Sequence, residues 1–552
     1  MVTHIETGVM NSPKYLSQQL DHLGLIAGMF DELEFGQLID ELIPQDTTQR
    51  LVSVGQAVKA MVLNGLGFAN RALYLTPLFF RDKPTERLIG KGILPEHLHD
   101  DLLGRSLDAL YEYDVSKLYP QLAALAVKKL GLLTRFGHLD STSFHTDGRY
   151  NSDAEPEAEV VHITKGYSRD HRPDLNQVVL QLINERQAGI PLVMQILNGN
   201  NSDQVSFHEM IQGFSEQMQE TFELEYMVAD SALYTADKLA QLSWLWWITR
   251  VPERLRLAQK KIEQYAPELM INPNEAAAKS IEVEYGGVQQ RWLVHFSPQA
   301  YQRATKNLHK KWLTNSTAEL NHLNKLCKQN FACEADARKA YQAFEKTLKY
   351  SFLTEFTIHK IPRFNGKGRP KKDSPPDYFE YQIEAALASD WSTYNQILQR
   401  KSCFILATNQ LDSQALTDDE LFSAYKDQQK VERGFRFLKD PMFMASTLYL
   451  NSPKRIEALM MVMTLSLLIY AALEHRIREA LQSEGATFQD QKGRATQRPT
   501  VRWVFQYFTG IHLLQINEAE YTQYLVLNLR EVQMSLLRCL GERYVALYAD
   551  SG

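Results

Sequence analysis

The chain of 552 residues is too long for one hydrophobic core, and its 44% hydrophobic and 23% charged residues are those of an ordinary folded protein, not of a disordered or fibrous one. A net charge of -6 offers no global attraction for nucleic acid, so such contacts would have to come from local runs of cations. Four cysteines without a CxxC pair or metal-ligand spacing argue against a zinc site or disulfide framework, and the opening MVTHIETGVMNSPKY lacks an apolar leader, so a cytoplasmic protein that is not exported is expected.

From about Lys14 to Leu133, apolar residues recur at three- and four-residue spacing, most clearly from Leu51 to Leu66 and from Leu102 to Leu125. This predicts a helical N-terminal domain over 1–133 with no strand. Arg71, Arg81 and Arg87 are its candidate DNA contacts, and a plain dimerising domain is the equal alternative. Near Thr134 the texture changes. Phe136 to Asp140 (FGHLD) is a short apolar run that ends in an acid, and an acidic loop with Glu155, Glu157 and Glu159 follows. Val178 to Ile183 and Ile190 to Leu197 predict two strands joined by a turn at Arg186 to Gly189, and Val205 to Gln219 predicts a helix. Tyr226 to Asp230 (YMVAD) repeats the apolar run with a terminal acid. A helix over Ser231 to Leu242 and a strand over Leu245 to Val251 come next. This order predicts an α/β fold with a mixed sheet flanked by helices, its first part over 134–270.

Over 271–402 the pattern breaks, and an inserted subdomain is expected. It opens with a hairpin of Ser280 to Tyr285 and Trp292 to Phe296 around Gly286 and Gly287, and continues with long polar helices. The run RFNGKGRPKK from Arg363 carries Lys367, Arg369, Lys371 and Lys372 and no acid. It suits phosphate contacts, with a solvated loop as the plain alternative; Gln491 to Trp503, with Lys492, Arg494, Arg498 and Arg502, is a second such run. Cys403 to Thr408 returns to strand composition, and 403–475 is assigned back to the sheet domain. Within it a helix is predicted from Asp418 to Lys439, capped by Thr417 and Glu420 and ended by Pro441. At about 100° per residue, Tyr425, Gln428, Glu432, Arg436 and Lys439 fall on an arc about 80° wide, while Val431, Phe435 and Leu438 point elsewhere. A solvated face with helix-spaced ion pairs would look similar. Ala458 to Leu473 reads as a buried core helix and not as a membrane span, because it is short and flanked by charges. The C-terminal region, 476–552, is predicted to be helical, with helices over Trp503 to Leu514 and Glu518 to Gly541.

Two strands that end in Asp, followed by an acid on a helix, suggest Asp140, Asp230 and Glu432 as three carboxylates at one sheet edge. That set suits two Mg²⁺ (or Mn²⁺) ions, which take oxygen ligands and can stabilise both the attacking and the leaving oxygen of a phosphoryl displacement. A Walker A loop and a GxSxG motif are absent, and His138 and His145 are expected to be structural.

HLDSTSFH around Asp140, KGYSRDHRPDLNQ before the hairpin, MVADSALY around Asp230 and YKDQQKVERGFRFLKDP around Glu432 resemble the DDE-type transposases of bacterial insertion sequences. Tyr425, Glu432 and Lys439 stand at the spacing of the Tyr-Arg-Glu-Lys signature of the insertion-sequence-four-like branch. The resemblance implies a ribonuclease-H-like catalytic core, with Asp140, Asp230 and Glu432 as the metal-binding triad, and contacts from Tyr425 and Lys439 to the transposon end. Gln428 stands where the signature has Arg; an amide still hydrogen-bonds a phosphate but brings no charge, so Lys430, Arg433 or Arg436 would take over that contact. The expected activity is metal-dependent cleavage at inverted-repeat ends and strand transfer into target DNA, by a homodimer on its DNA. The alternatives are a nuclease of the same core without strand transfer and a DNA-binding derivative without catalysis.

Overall fold

The structure, a computed structural model, describes residues 15–45, 50–68, 73–146, 160–167, 172–366, 368, 374–440, 452–517 and 522–551. The chain falls into two units, one of Met1–Thr249 with Asp419–Gly552 and one of Arg250–Asp418. The second is wider than the 271–402 segment marked by composition.

The first unit contains β1 (Tyr15–Gln19), β2 (Phe136–His145), β3 (Gln177–Glu185), β4 (Pro191–Asn198), β5 (Tyr226–Ala229) and β6 (Trp246–Arg250). Its large sheet runs in the order β4-β3-β2-β5-β6. β3 pairs antiparallel with β4 and with β2, whereas β2–β5 and β5–β6 are parallel, so the sheet is mixed. β3 (QVVLQLINE) is buried at every position, as a strand covered on both faces should be. β2 is buried at every position except Asp140 and His145. A carboxylate in such a strand needs an opening to water or a cation, because burying the bare charge is costly.

Helices flank this sheet. Val115–Leu130 packs on β4, where the Tyr119 hydroxyl donates to the Pro191 carbonyl at 3.0 Å. Pro453–Ser483 passes the length and apolarity test for a membrane span, yet 83% of its apolar window is buried inside the protein, against Val54–Leu66, Asp100–Tyr113 and β4.

The second unit contains β7 (Ala277–Tyr285), β8 (Val288–Phe296) and β11 (Cys403–Thr408), an antiparallel set in the order β11-β8-β7. The β7–β8 turn uses Gly286 and Gly287 at φ 63° and 73°, the left-handed pair that a two-residue hairpin requires. The helices Pro298–Cys327 and Trp391–Ser402 enclose Trp312, Ala304, Leu308, Tyr394 and Leu398. β9 (Ser351–Arg363) and β10 (Tyr378–Ser389) form a separate two-stranded ribbon.

Several expectations are corrected. The N-terminal region is not all helix, because β1 pairs with His512–Asn517 nearly 500 residues away, a partner that local periodicity cannot reveal. The C-terminal region is likewise not all helix. The helix predicted over Trp503 to Leu514 stops at Tyr507, and the chain continues as His512–Asn517 paired with Thr522–Leu527 before the helix Glu531–Leu540. Ser231 to Leu242 contains only the short turns Ala236–Leu239 and Ala240–Leu242. The helix predicted from Asp418 to Lys439 is two, α1 (Asp418–Asp427) and α2 (Gln429–Leu438), parted at Gln428, whose N–H bonds the Tyr425 carbonyl three residues back. Lys367, Arg369, Lys371 and Lys372 lie outside the described residues, as do Arg71 and Pro441.

Candidate active site

The parallel register of β2 on β5 pairs Leu139 with Ala229. The next residue in each case is an aspartate, Asp140 in the middle of β2, which does not end there as expected but runs on to His145, and Asp230 just past the end of β5, so the two acids sit side by side, about 5 Å apart in backbone spacing. Both are half-buried. Asp140 Oδ1 accepts the Ser141 N–H at 2.8 Å, and Asp230 Oδ1 accepts the Ala232 N–H at 2.8 Å. Each is thereby turned by its own chain. The Thr249 hydroxyl donates to the Asp230 carbonyl at 2.6 Å, which fixes the end of β5 against β6.

α2 packs on β2. Gln428, at the start of α2, is 7% exposed; its Nε2 donates to the Leu139 carbonyl at 2.8 Å and its Oε1 faces His138 Nδ1 at 3.1 Å. At the other end the Lys439 ammonium lies 5.7 Å from the centre of the Phe144 ring. Lys439 is about 16 Å beyond Gln428 by helical rise, and Phe144 is roughly 17–20 Å beyond His138 and Leu139 by strand rise. The helix therefore runs alongside β2 in the same direction. His138, Asp140 and Phe144 share one face of the strand, the face turned toward α2. Glu432, one turn and about 6 Å past Gln428, comes level with Asp140.

The network also settles the His138 proton. The Leu139 carbonyl only accepts, so Gln428 must present its oxygen to the ring, and Nδ1 carries the hydrogen. His138 Nε2 is buried without a hydrogen-bond partner among the described residues. A second proton there would be unsolvated, and burial pulls the His138 pKa down to about 4, the Gln428 bond opposing it.

Four more contacts seat α1 and α2. Arg135 bonds Glu420 at 2.5 Å, Arg186 bonds Asp427 at 2.7 Å and the Ser423 hydroxyl at 2.7 Å, and Lys430 donates to the Arg186 carbonyl at 2.5 Å. The Arg186 guanidinium also covers the Phe136 ring at 5.0 Å. On the side of α2 away from β2, Gly434 lets Leu467 approach so closely that an added Cβ would stand 3.1 Å from it.

The grouping expected from sequence is thus divided. Gln428 is turned into the protein and does not face outward, because its amide is used by Leu139 and His138. Glu432 is exposed on the flank beside β2; Tyr425 is half-exposed, and so is Lys439. Arg433 and Arg436 are exposed and line a cleft between α2 and Pro453–Ser483. His138 is structural, as expected, though its partner Gln428 was not foreseen; Arg186 as a support was missed and left no signal, since its partner Asp427 is 241 residues away.

Among the described residues, no group of three or more His, Cys, Asp or Glu stands close enough together to hold a metal ion. The neighbouring aspartates nevertheless fit a hard divalent cation in donor chemistry: they are half-open carboxylates next to each other, one within the otherwise buried β2 and one just past β5, and Glu432 is the acid on the helix alongside.

A family model described as Transposase DDE domain matches residues 132–469, well over half the chain, and one described as a domain of unknown function (DUF4277) matches residues 15–124. No curated protein matches the chain. Among solved structures, a piggyBac transposase synaptic complex with hairpin DNA aligns with 90% of this chain and 83% of that one, at 8% identity and a TM-score of 0.35.

Proposed function

The chain belongs to the DDE transposase family, and from that premise we propose that Asp140, Asp230 and Glu432 are its catalytic triad on a ribonuclease-H-like core. The observation that carries this is the register: paired Leu139 and Ala229 are each followed by an aspartate, and the helix bearing Glu432 is clamped to the same strand. In this reading the three carboxylates hold two Mg²⁺ or Mn²⁺ ions. A bound pair would supply stabilisation of the attacking and leaving oxygens at a DNA phosphate. The chain's own part is to fix the acids, through Thr249, Gln428 and the Arg186 turn.

The substrate is double-stranded DNA, the inverted-repeat ends of the protein's own element and then its target, bound by a homodimer in the bacterial cytoplasm. Tyr425 and Lys439 flank Glu432 on the side of β2 and would meet the transposon end, as in the insertion-sequence-four-like branch; Arg436 and Arg433 would hold phosphate beside it. Lys367, Arg369, Lys371 and Lys372 would add further phosphate contacts.

The test is a set of single variants, Asp140→Ala, Asp230→Ala and Glu432→Gln, assayed for Mg²⁺-dependent cutting and joining of end-bearing duplexes. Each should lose at least about 100-fold in cleavage, beyond the loss usual for a partner behind the ligands, while still binding the ends. A variant that cuts at near-parental rate would remove its residue from the triad. Cuts without joints by the unsubstituted protein would favour the nuclease alternative.

A further inference from the structure

Around α2, Phe437 and Lys430 lie about 140–160° from Glu432 by helical geometry, so the helix presents a second flank turned away from the acids. That flank forms one wall of a cleft of about 930 Å³, with Pro453–Ser483 and the 498–502 loop as the others. Six cations line it, Lys430, Arg433, Arg436, Arg478, Arg498 and Arg502, against three carboxylates, Asp440, Glu474 and Glu479. Three of the cations are already paired: Arg502 with Asp440 at 2.8 Å, Arg478 with Glu474 at 2.6 Å and Lys430 with Asp427 at 3.6 Å. Arg433, Arg436 and Arg498 have no ion-pair partner among the described residues, and both Arg433 and Arg498 are exposed. His475, also in the wall, is lowered in pKa by burial and adds no charge near neutral pH. The Arg478 Nε donates to the Pro499 carbonyl at 3.1 Å and Glu474 accepts the Val501 N–H at 3.0 Å, so the loop bearing Arg498 is tied to the long helix.

Three guanidinium groups without an ion-pair partner, against the single carboxylate of Glu479 left over in the wall, leave an excess of positive charge around one cavity that an anion would relieve. Guanidinium keeps its charge at any working pH and matches phosphate with two donors at once. A volume near the upper end of the range for small-ligand sites is far larger than one phosphate needs. The cleft also has an aromatic side, with the Phe437 and Tyr470 rings 4.2 Å apart between centres. A positive groove with aromatic rings is the chemistry of single-strand nucleic acid binding.

We propose that this cleft binds a single DNA strand by its phosphodiester backbone, with Arg433 and Arg498 on the phosphates and Arg436 linking the cleft to the acid edge. Arg436 is only about 40° around the helix from Glu432, so one strand passes from the carboxylates over Arg436 into the cleft. This rests on the DNA reading of the site above, and adds to it a second track, with Arg498 as a contact from the C-terminal part of the chain.

The experiment compares a labelled duplex carrying a single-stranded tail with the blunt duplex, by anisotropy over a range of salt. The variant is Arg498→Gln; the control, matched in charge, is Arg105→Gln on the N-terminal helices. The variant should flatten the salt slope for the tailed duplex by about 0.7, one phosphate contact on a single strand, and change the blunt duplex much less. The control should match the parent. An unchanged tailed-duplex slope in a protein that still binds and cuts DNA would overturn the cleft alone, as would an equal drop in the control. A parent that binds neither probe overturns the DNA reading and the cleft together. If inorganic pyrophosphate then raises the parental melting temperature but not that of the variant, the cleft is a small-anion site and not a strand track.

Discussion

Gln428 shows how much a single side chain decides here. The helical wheel puts it on the same arc as Glu432, but its amide is spent on the Leu139 carbonyl and the His138 ring, and these bonds hold α2 in register with β2. Replacing Gln428 by Arg would place a cation at a position 7% exposed, with one carbonyl to receive it and a neutral ring beside it. The variant should lose roughly 2–5 kcal/mol in urea unfolding and lose cleavage with it, without tighter end binding. Equal stability with tighter binding would return Gln428 to the DNA-facing stripe. His138 adds a pH signature. Its folded pKa of about 4 lies below the ordinary 6.5, so between those values the unfolded chain binds the extra proton and the folded one does not. Stability from this residue is complete above about pH 6.5 and is lost as pH falls toward 4, by up to roughly 3 kcal/mol. Unfolding titrations from pH 7 to 4 should show that decline, and His138→Asn should remove most of it. That Asp140 and Asp230 follow neighbouring strand segments was legible because an apolar run followed by Asp occurs twice, although β2 continues past Asp140 to His145. The inward turn of Gln428 was not, since a wheel gives angles without saying which arc meets the strand.

At the scale of elements, α2 is positioned from both sides, by β2 through Gln428 and by the long helix Pro453–Ser483 through Gly434. The short apolar runs of the β strands and the long apolar run of Pro453–Ser483 were plain in the sequence, because both are set by burial of one chain segment. The break at Gln428 was not plain. It replaces one hydrogen bond to the fourth residue back by one to the third and leaves the apolar spacing of Val431, Phe435 and Leu438 intact. The close approach at Gly434 makes a testable demand. A Cβ there meets the movable tip of Leu467 at 3.1 Å, whereas a β-branched side chain would push the helices apart. Gly434→Val should cost about 1–3 kcal/mol by overpacking and lower cleavage by displacing Glu432, and Leu467→Ala should relieve part of the cleavage defect. Failure of that second change to restore any activity would mean that Gly434 serves something other than helix spacing.

For the whole molecule, the deepest gap between sequence and structure is at the ends. Local periodicity predicts helix at both termini because it measures only neighbours along the chain, and the pairing of β1 with His512–Asn517 is invisible to it. The helix Leu23–Glu32 that follows β1 meets the last helix of the chain in the same way. The Tyr548 hydroxyl donates to the Asp21 carbonyl at 2.6 Å, and its ring lies so close to the helix that a Cβ on Gly24 would stand 2.5 Å from a ring carbon. Gly28 has the same relation to Tyr544 at 2.7 Å. Two glycines one turn apart thus admit two tyrosines, and the helix Leu23–Glu32 depends on residues more than 500 positions later in the sequence. Tyr548→Ala should cost about 3–5 kcal/mol, the usual loss for a buried ring. Gly24→Ala alone should also destabilise, because the ring is packed and cannot withdraw, even though alanine suits a helix better than glycine by up to about 1 kcal/mol. Once Tyr548 is alanine, the same Gly24→Ala change has room and should become neutral or stabilising. Urea unfolding of the two single variants and the double variant would therefore show the double variant more stable than the sum of the single losses implies. Simple additivity would mean that the two ends of the chain do not meet at this contact.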